Sequence, residues 1–116
     1  MRRRYDLYLG DILESIRQLQ IYIDGLTLQS LGKDRKTIAA ATRELEIIGE
    51  AVSQLPEEIK QKYPQISWQR VKDFRNVVVH QYWKVDIKIL WDIITEKLPA
   101  LQIQIEEVLI EEKGNQ

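Results

Sequence analysis

Cysteine is absent from the 116 residues. Disulfide frameworks, thiolate metal sites and cysteine nucleophiles are excluded with it. Histidine occurs once, at His80, too few imidazoles for an ordinary transition-metal site. Glu44, Glu46 and Glu50 could suggest a carboxylate metal site, but the Glu-x-x-His pairs of a di-iron bundle are missing. Gly-rich phosphate loops are missing too, and Gly32-Lys33 lacks the Walker spacing. A hydroxyl–imidazole triad from Ser53 or Ser67 with His80 has no support in the flanking residues. Neither metal nor cofactor is expected.

Long apolar runs are lacking as well. No stretch approaches the length of a membrane span, and no apolar segment follows the basic Arg2-Arg3-Arg4, so no signal peptide is expected. A soluble, cytoplasmic protein forming a single domain over residues 1–116 is the expectation. Charge of one sign is not in excess. Lys and Arg number 17 against 18 Asp and Glu, for a net charge of −1. A surface that binds nucleic acid by bulk charge is excluded, and any such contact must be local. Lys60, Lys62, Arg70, Lys72 and Arg75 gather basic charge, whereas Glu106, Glu107, Glu111 and Glu112 make an acidic stretch that reads as a solvated face.

Helical periodicity is what the chain has in quantity. Leu9, Ile12, Leu13, Ile16, Leu19 and Ile23 recur at threes and fours, which predicts a helix from Arg4 to about Asp24 with Gly25 as a left-handed cap. Thr27 opens a short turn through Leu31. A second long helix is predicted from Asp34 to Leu55 on the stripe Ile38, Ala41, Leu45, Ile48 and Val52, with Gly49 marking a close approach of another helix. Pro56 suits the start of a short helix to Lys62, and Tyr63-Pro64 breaks the chain. Ser67 reads as the N-cap of a helix carrying Arg70 to Trp83. Local rules conflict there, because Val77, Val78, Val79, Tyr82 and Trp83 favour a strand, but a lone strand would have no partner. Asp86 caps a further helix, which Pro99 kinks or splits, and Leu101 to Ile110 is helical again. Trp68, Trp83 and Trp91 read as core or interface anchors. The fold class is all-α, four or five helices in an up-and-down bundle.

Composition and periodicity stop short of function. The polar groups with chemistry to offer are Arg75, Asn76, His80 and Tyr82, within eight positions. On an unbroken helix Arg75 and Tyr82 fall within about 20° of each other, but Arg75 and His80 stand about 140° apart. Either the helix is distorted or unwound there, or the groups converge across a cleft that a two-fold partner would supply. The plainer alternative is that His80 is a structural group near a helix end and Arg75 pairs with Asp73 or a neighbouring helix.

The segment RNVVVHQYWKVD, Arg75 to Asp86, resembles the signature of the HepT-like branch of the HEPN superfamily: Arg-Asn, three residues, His, one residue, Tyr. DILESI, RELEIIGEAV, LPEEIK, WQRVKDFRN and VDIKILWDIITEKLPAL also resemble family segments, in family order. Gln81 and Lys84 stand where family members usually carry Gly, and Val77 where a basic or polar residue is frequent. The resemblance implies a homodimerising HEPN-like bundle. Its activity would be that of a metal-independent endoribonuclease toxin of a type VII-like (HEPN/MNT) toxin–antitoxin system. Arg75 and His80 would be catalytic and Asn76 supporting. The implied partners are an RNA substrate and a MntA-like nucleotidyltransferase antitoxin, which would silence the toxin by transferring AMP to Tyr82; assembly beyond the dimer with that antitoxin is left open. The alternative is a non-catalytic HEPN module that binds a nucleotide or partners a nucleotidyltransferase.

Overall fold

The architecture follows from the apolar stripes. A computed structural model describes residues 4–79 and 84–114. Helix α1 (Arg4–Ile23) buries Tyr5, Leu9, Ile12, Ile16 and Leu19, a repeat of fours and threes that keeps one face turned inward. It packs along α3 (Arg35–Gln54), whose inward face is Ala41, Leu45, Ile48, Gly49 and Val52. Between them, Gly25 takes the left-handed conformation at φ 81°, and α2 (Leu28–Gly32) opens with a capping box. In it Thr27 Oγ1 accepts from the Ser30 amide while the Ser30 hydroxyl accepts from the Thr27 amide. Asp34 caps α3, accepting from the Thr37 amide at 3.0 Å.

Helices α4 (Glu57–Lys62), α5 (Trp68–Lys72) and α6 (Phe74–Val78) are short. Trp68, the first residue of α5, is buried, its indole N–H donating to the carbonyls of Lys60 and Tyr63. Ser67 does occupy the N-cap position of α5, but its hydroxyl makes no capping bond. Asp86 does cap the next helix, α7 (Ile87–Asp92), accepting from the Ile89 amide at 3.0 Å.

From α7 the chain stays helical through a π-helical turn, Ile93–Lys97, into α8 (Leu98–Gly114). Pro99 supplies no N–H, and its ring would crowd the carbonyl of Thr95 in an ordinary α-turn. The wider turn just before it relieves that crowding. Pro99 therefore neither splits the helix nor ends it, and α8 extends beyond the expected Leu101–Ile110 at both ends. Leu98, Leu101, Ile105 and Val108 close the core against α1. Among the described residues there are eight α-helical segments rather than four or five. The excess comes from short pieces: α2 lies where only a turn was expected, and the helix expected from Trp68 is divided at Asp73 into α5 and α6.

Glu112 belongs to the same buried stripe of α8, so the acidic stretch there is not wholly a solvated face. Its carboxylate meets Lys62 Nζ at 2.7 Å and accepts from the Tyr63 hydroxyl. The hydrogen bond from Lys62, and next that from Tyr63, hold the Glu112 carboxyl below the usual carboxylate range. Burial and the neighbouring carboxylates push the Tyr63 phenol well above its ordinary value. Because the folded-state value of Glu112 is depressed, its contribution is complete above the unfolded carboxylate range and is lost as pH falls through the folded value. Glu112→Gln is expected to lower the melting temperature at neutral pH, and the gap to wild type to close below about pH 4; melting curves across that range test it.

Candidate active site

Arg75 lies on α6, and its position is set by how α5 and α6 are laid on α3. The contact point is Gly49. A Cβ added there would stand 2.9 Å from the carbonyl oxygen of Lys72, closer than real side chains tolerate, so only glycine lets the end of α5 rest on the helix. The close approach expected from Gly49 is thus present, and it is backbone against backbone. After Lys72 the chain turns at Asp73 and re-enters helix for one turn. Phe74 and Val78 point into the core, and Arg75 points along α3. Its Nε stands 3.7 Å from the carboxylate of Glu46, one turn before Gly49. The Arg75 side chain is 24% exposed, buried enough for a held orientation and open enough to reach a ligand.

Helix α6 ends at Val78. Val79 is extended, with φ −96° and ψ 116°, and forms an antiparallel bridge with Val85. The Asp86 amide donates to the Val78 carbonyl at 2.8 Å. The predicted helix through Trp83 is therefore corrected: it stops five residues earlier. The β-branched valines explain why. Val77 and Val78 finish the turn, and Val79 takes the extended backbone its side chain favours, finding a partner six residues along its own chain. The helix is thus unwound at Val79, one of the two alternatives for this segment. His80 and Tyr82, together with Trp83, lie outside the described residues. Asn76 is described and exposed on α6.

Arg75 stands on a ridge between two depressions. One, of about 370 Å³, includes Gly49, Glu50, Ser53, Lys72 and Asn76 on its walls. The other, of about 500 Å³, is bounded by α3 and the paired Val79 and Val85, and its rim carries Arg35 and Arg43. Glu46 borders both, and it lies 3.7 Å from Arg43 as well as from Arg75. Sequence reasoning weighed Glu46 only as a carboxylate metal ligand and passed over Arg35 and Arg43. It looked instead to the basic group around Lys60, of which Lys60 and Lys62 are engaged with Glu57 and Glu112. One signal was present: Arg35, Thr42 and Glu46 fall at i, i+7 and i+11, on one helix face with the small Ala39 between them, one turn from Gly49. Among the described residues no group of His, Cys, Asp and Glu gathers as metal ligands, so the three glutamates of α3 do not converge. No helix among them is long and apolar enough to cross a membrane.

A family model described as ribonuclease HepT-like matches residues 12–108. The chain belongs to the HepT-like family. Curated relatives align along nearly the full length of both chains. A candidate RNase of Methanocaldococcus jannaschii is 37% identical over 107 residues, covering 92% of this chain and 88% of the relative. One from Caldanaerobacter subterraneus is 35% identical over 106 residues, covering 91% and 95%. A candidate ribonuclease HepT of Thermococcus cleftensis is 33% identical over 108 residues, covering 93% and 98%. No solved structure matches significantly.

The packing at Gly49 is what presents Arg75 to Glu46, and it separates two glycines that look alike in sequence. Gly49→Ala is expected to destabilise the fold by about 1–3 kcal/mol through overpacking. Gly10→Ala, in mid-α1 where an added Cβ meets nothing within 4 Å, is expected to stabilise it by about 0.5–1 kcal/mol. Urea unfolding of the two variants beside wild type checks the opposite signs.

Proposed function

We propose that this HepT-like chain is a metal-independent endoribonuclease toxin acting in the cytoplasm. The observation that carries the reading is Arg75, half-buried on a ridge between two clefts and held by Glu46, in the Arg-Asn-x3-His-x-Tyr motif. RNA brings its own nucleophile. The 2′-oxygen attacks phosphorus as its proton passes to a base, the bond to the 5′-oxygen breaks as that oxygen gains a proton, and a 2′,3′-cyclic phosphate remains. A group with an unperturbed pKa near 6.5 suits both transfers, and His80 is the imidazole available. In a homodimer, two copies of His80 divide the base and acid roles, or one serves as base with water as acid. Val77, exposed beside Asn76, gives apolar surface for such an association. Arg75, with its planar fork of donors, stabilises the charge that develops on the phosphoryl oxygens. Asn76 orients His80, and Glu46 is a positioning residue for Arg75.

The control on this activity is an AMP transfer by a nucleotidyltransferase antitoxin. The Tyr82 hydroxyl attacks the α-phosphorus of ATP, pyrophosphate leaves, and the phenolic proton is lost to solvent. The product places bulk and negative charge where substrate phosphate must sit.

Cleavage of a 5′-labelled RNA in EDTA tests the chemistry. Wild type is expected to cut and leave a cyclic phosphate, with Arg75→Ala reduced about 10²–10³-fold and His80→Ala at least about 10²-fold, all three folded. A 2′-deoxy substrate should survive intact; its cleavage would rule out this mechanism, and an inert wild type that binds nucleotide would favour the non-catalytic module instead.

The control has its own test. Tyr82→Phe is expected to cut RNA and to stay active after incubation with the antitoxin and ATP, while wild type is silenced. Full silencing of the Phe variant would remove Tyr82 from the mechanism.

A further inference from the structure

The larger cleft extends past Arg75 along α3, and its chemistry is divided. The floor is apolar, with Ile38 on α3, Val85 on the bridge and Ile87 at the start of α7. The rim is guanidinium, with Arg35 and Arg43 on α3 and Arg75 facing them. One carboxylate, Glu46, also borders it, so the cleft holds two positive charges in excess on a chain whose net charge is −1. Thr42 and Ala39 are small enough to leave the space between the arginines open. Arg35 and Arg43 are eight residues apart, about 12 Å along the helix axis and about 80° around it, so they flank the floor instead of sharing one point. The volume, about 500 Å³, is within the range of small-ligand sites.

We propose that this cleft is a nucleotide subsite for single-stranded RNA, seating the residue that adjoins the scissile phosphate. The base lies on Ile38, Val85 and Ile87, and the neighbouring backbone phosphates meet Arg35 and Arg43. The assignment rests on the ribonuclease reading of Arg75, which forms one end of the same cleft. An apolar floor between guanidinium groups suits a base and its phosphates together. Each base offers an apolar face, and arginine both pairs with phosphate and stacks on the ring. An acidic protein segment would use the rim but would have no use for the floor. The subsite also accounts for RNA binding by a chain with no general positive charge, because the charge is concentrated where the strand runs.

Binding of a short fluorescent 2′-O-methyl oligonucleotide, which cannot be cleaved, is followed by anisotropy at several salt concentrations, and RNA cleavage by the same preparations is measured in parallel. Arg35→Gln and Arg43→Gln are each expected to weaken binding about tenfold and to lower the salt slope by about 0.7. In cleavage they should raise KM more than they lower kcat. An oligonucleotide with one abasic position is expected to bind about tenfold more weakly. Wild-type affinity and slope in both arginine variants, with wild type cutting RNA normally, would overturn the subsite and leave the nuclease reading standing. So would equal binding of the abasic strand, or displacement of the oligonucleotide by oligoglutamate at matched charge. A wild type that cuts nothing, yet binds the oligonucleotide through Arg35, would overturn the nuclease reading and the placement beside a scissile phosphate, leaving the cleft a site for single-stranded RNA only.

Discussion

The contact between Gly49 and the carbonyl of Lys72 governs where Arg75 stands. Helices ordinarily stand 8–10 Å apart, spaced by side chains. Removing the side chain at one position lets α5 end directly on α3. The next helix then begins close to the α3 surface, and Arg75 reaches Glu46 one turn away. Glycine in mid-helix costs about 1 kcal/mol against alanine, and the rest of α3 offsets it with the buried stripe from Ala41 to Val52. A strongly amphipathic helix thus tolerates one weak position and uses it to set where Arg75 stands.

Buried polar groups play a second, separate role. Lys62, Tyr63 and Glu112 satisfy one another where α4 meets α8, and Tyr22 donates to Glu44 at 2.9 Å between α1 and α3. Such pairs add little stability on their own when solvent reaches them. They do fix registers: a slide of α8 by one turn would leave the Glu112 carboxylate without Lys62 and the Tyr63 hydroxyl without its acceptor. Short α4 has one buried side chain of its own, Ile59, and relies on that register more than the long helices do.

What could be read in the sequence was what local chemistry determines. Asp34, Asp86, Thr27 and Gly25 mark their turns because a cap or a left-handed residue acts within three or four positions. The stripes of α1 and α3 were legible because a period of 3.6 repeats through five turns. Gly49 signalled a close approach without naming the neighbour. The Arg75–Glu46 pair was not legible, since it joins distant parts of the chain through the path of α5 and α6. The valines after Asn76 carried two true signals, helix and strand, and the chain honours both, ending the helix at Val78 and pairing Val79 with Val85. A rule that assigns one state to the whole segment had to miss that division. The family resemblance supplied Arg75, Asn76 and His80 together; the fold adds where Arg75 stands, beside Glu46 of α3.

The π-helical turn and α8 close the bundle against α1, as when Gln20 on the first helix bonds Gln102 on the last. The elements that carry Glu46 and Arg75 lie between these two in the chain. During synthesis, α3, α5 and α6 are made before the helix that covers α1. Until Leu98, Leu101, Ile105 and Val108 arrive, the inward face of α1 lacks its far wall and Lys62 lacks Glu112. A protein that cuts RNA would then be assembled beside the very RNAs it could attack, and its own chain order delays completion of the fold until that helix has emerged. The scaffold that carries Arg75 is thus laid down before the core that steadies it is complete.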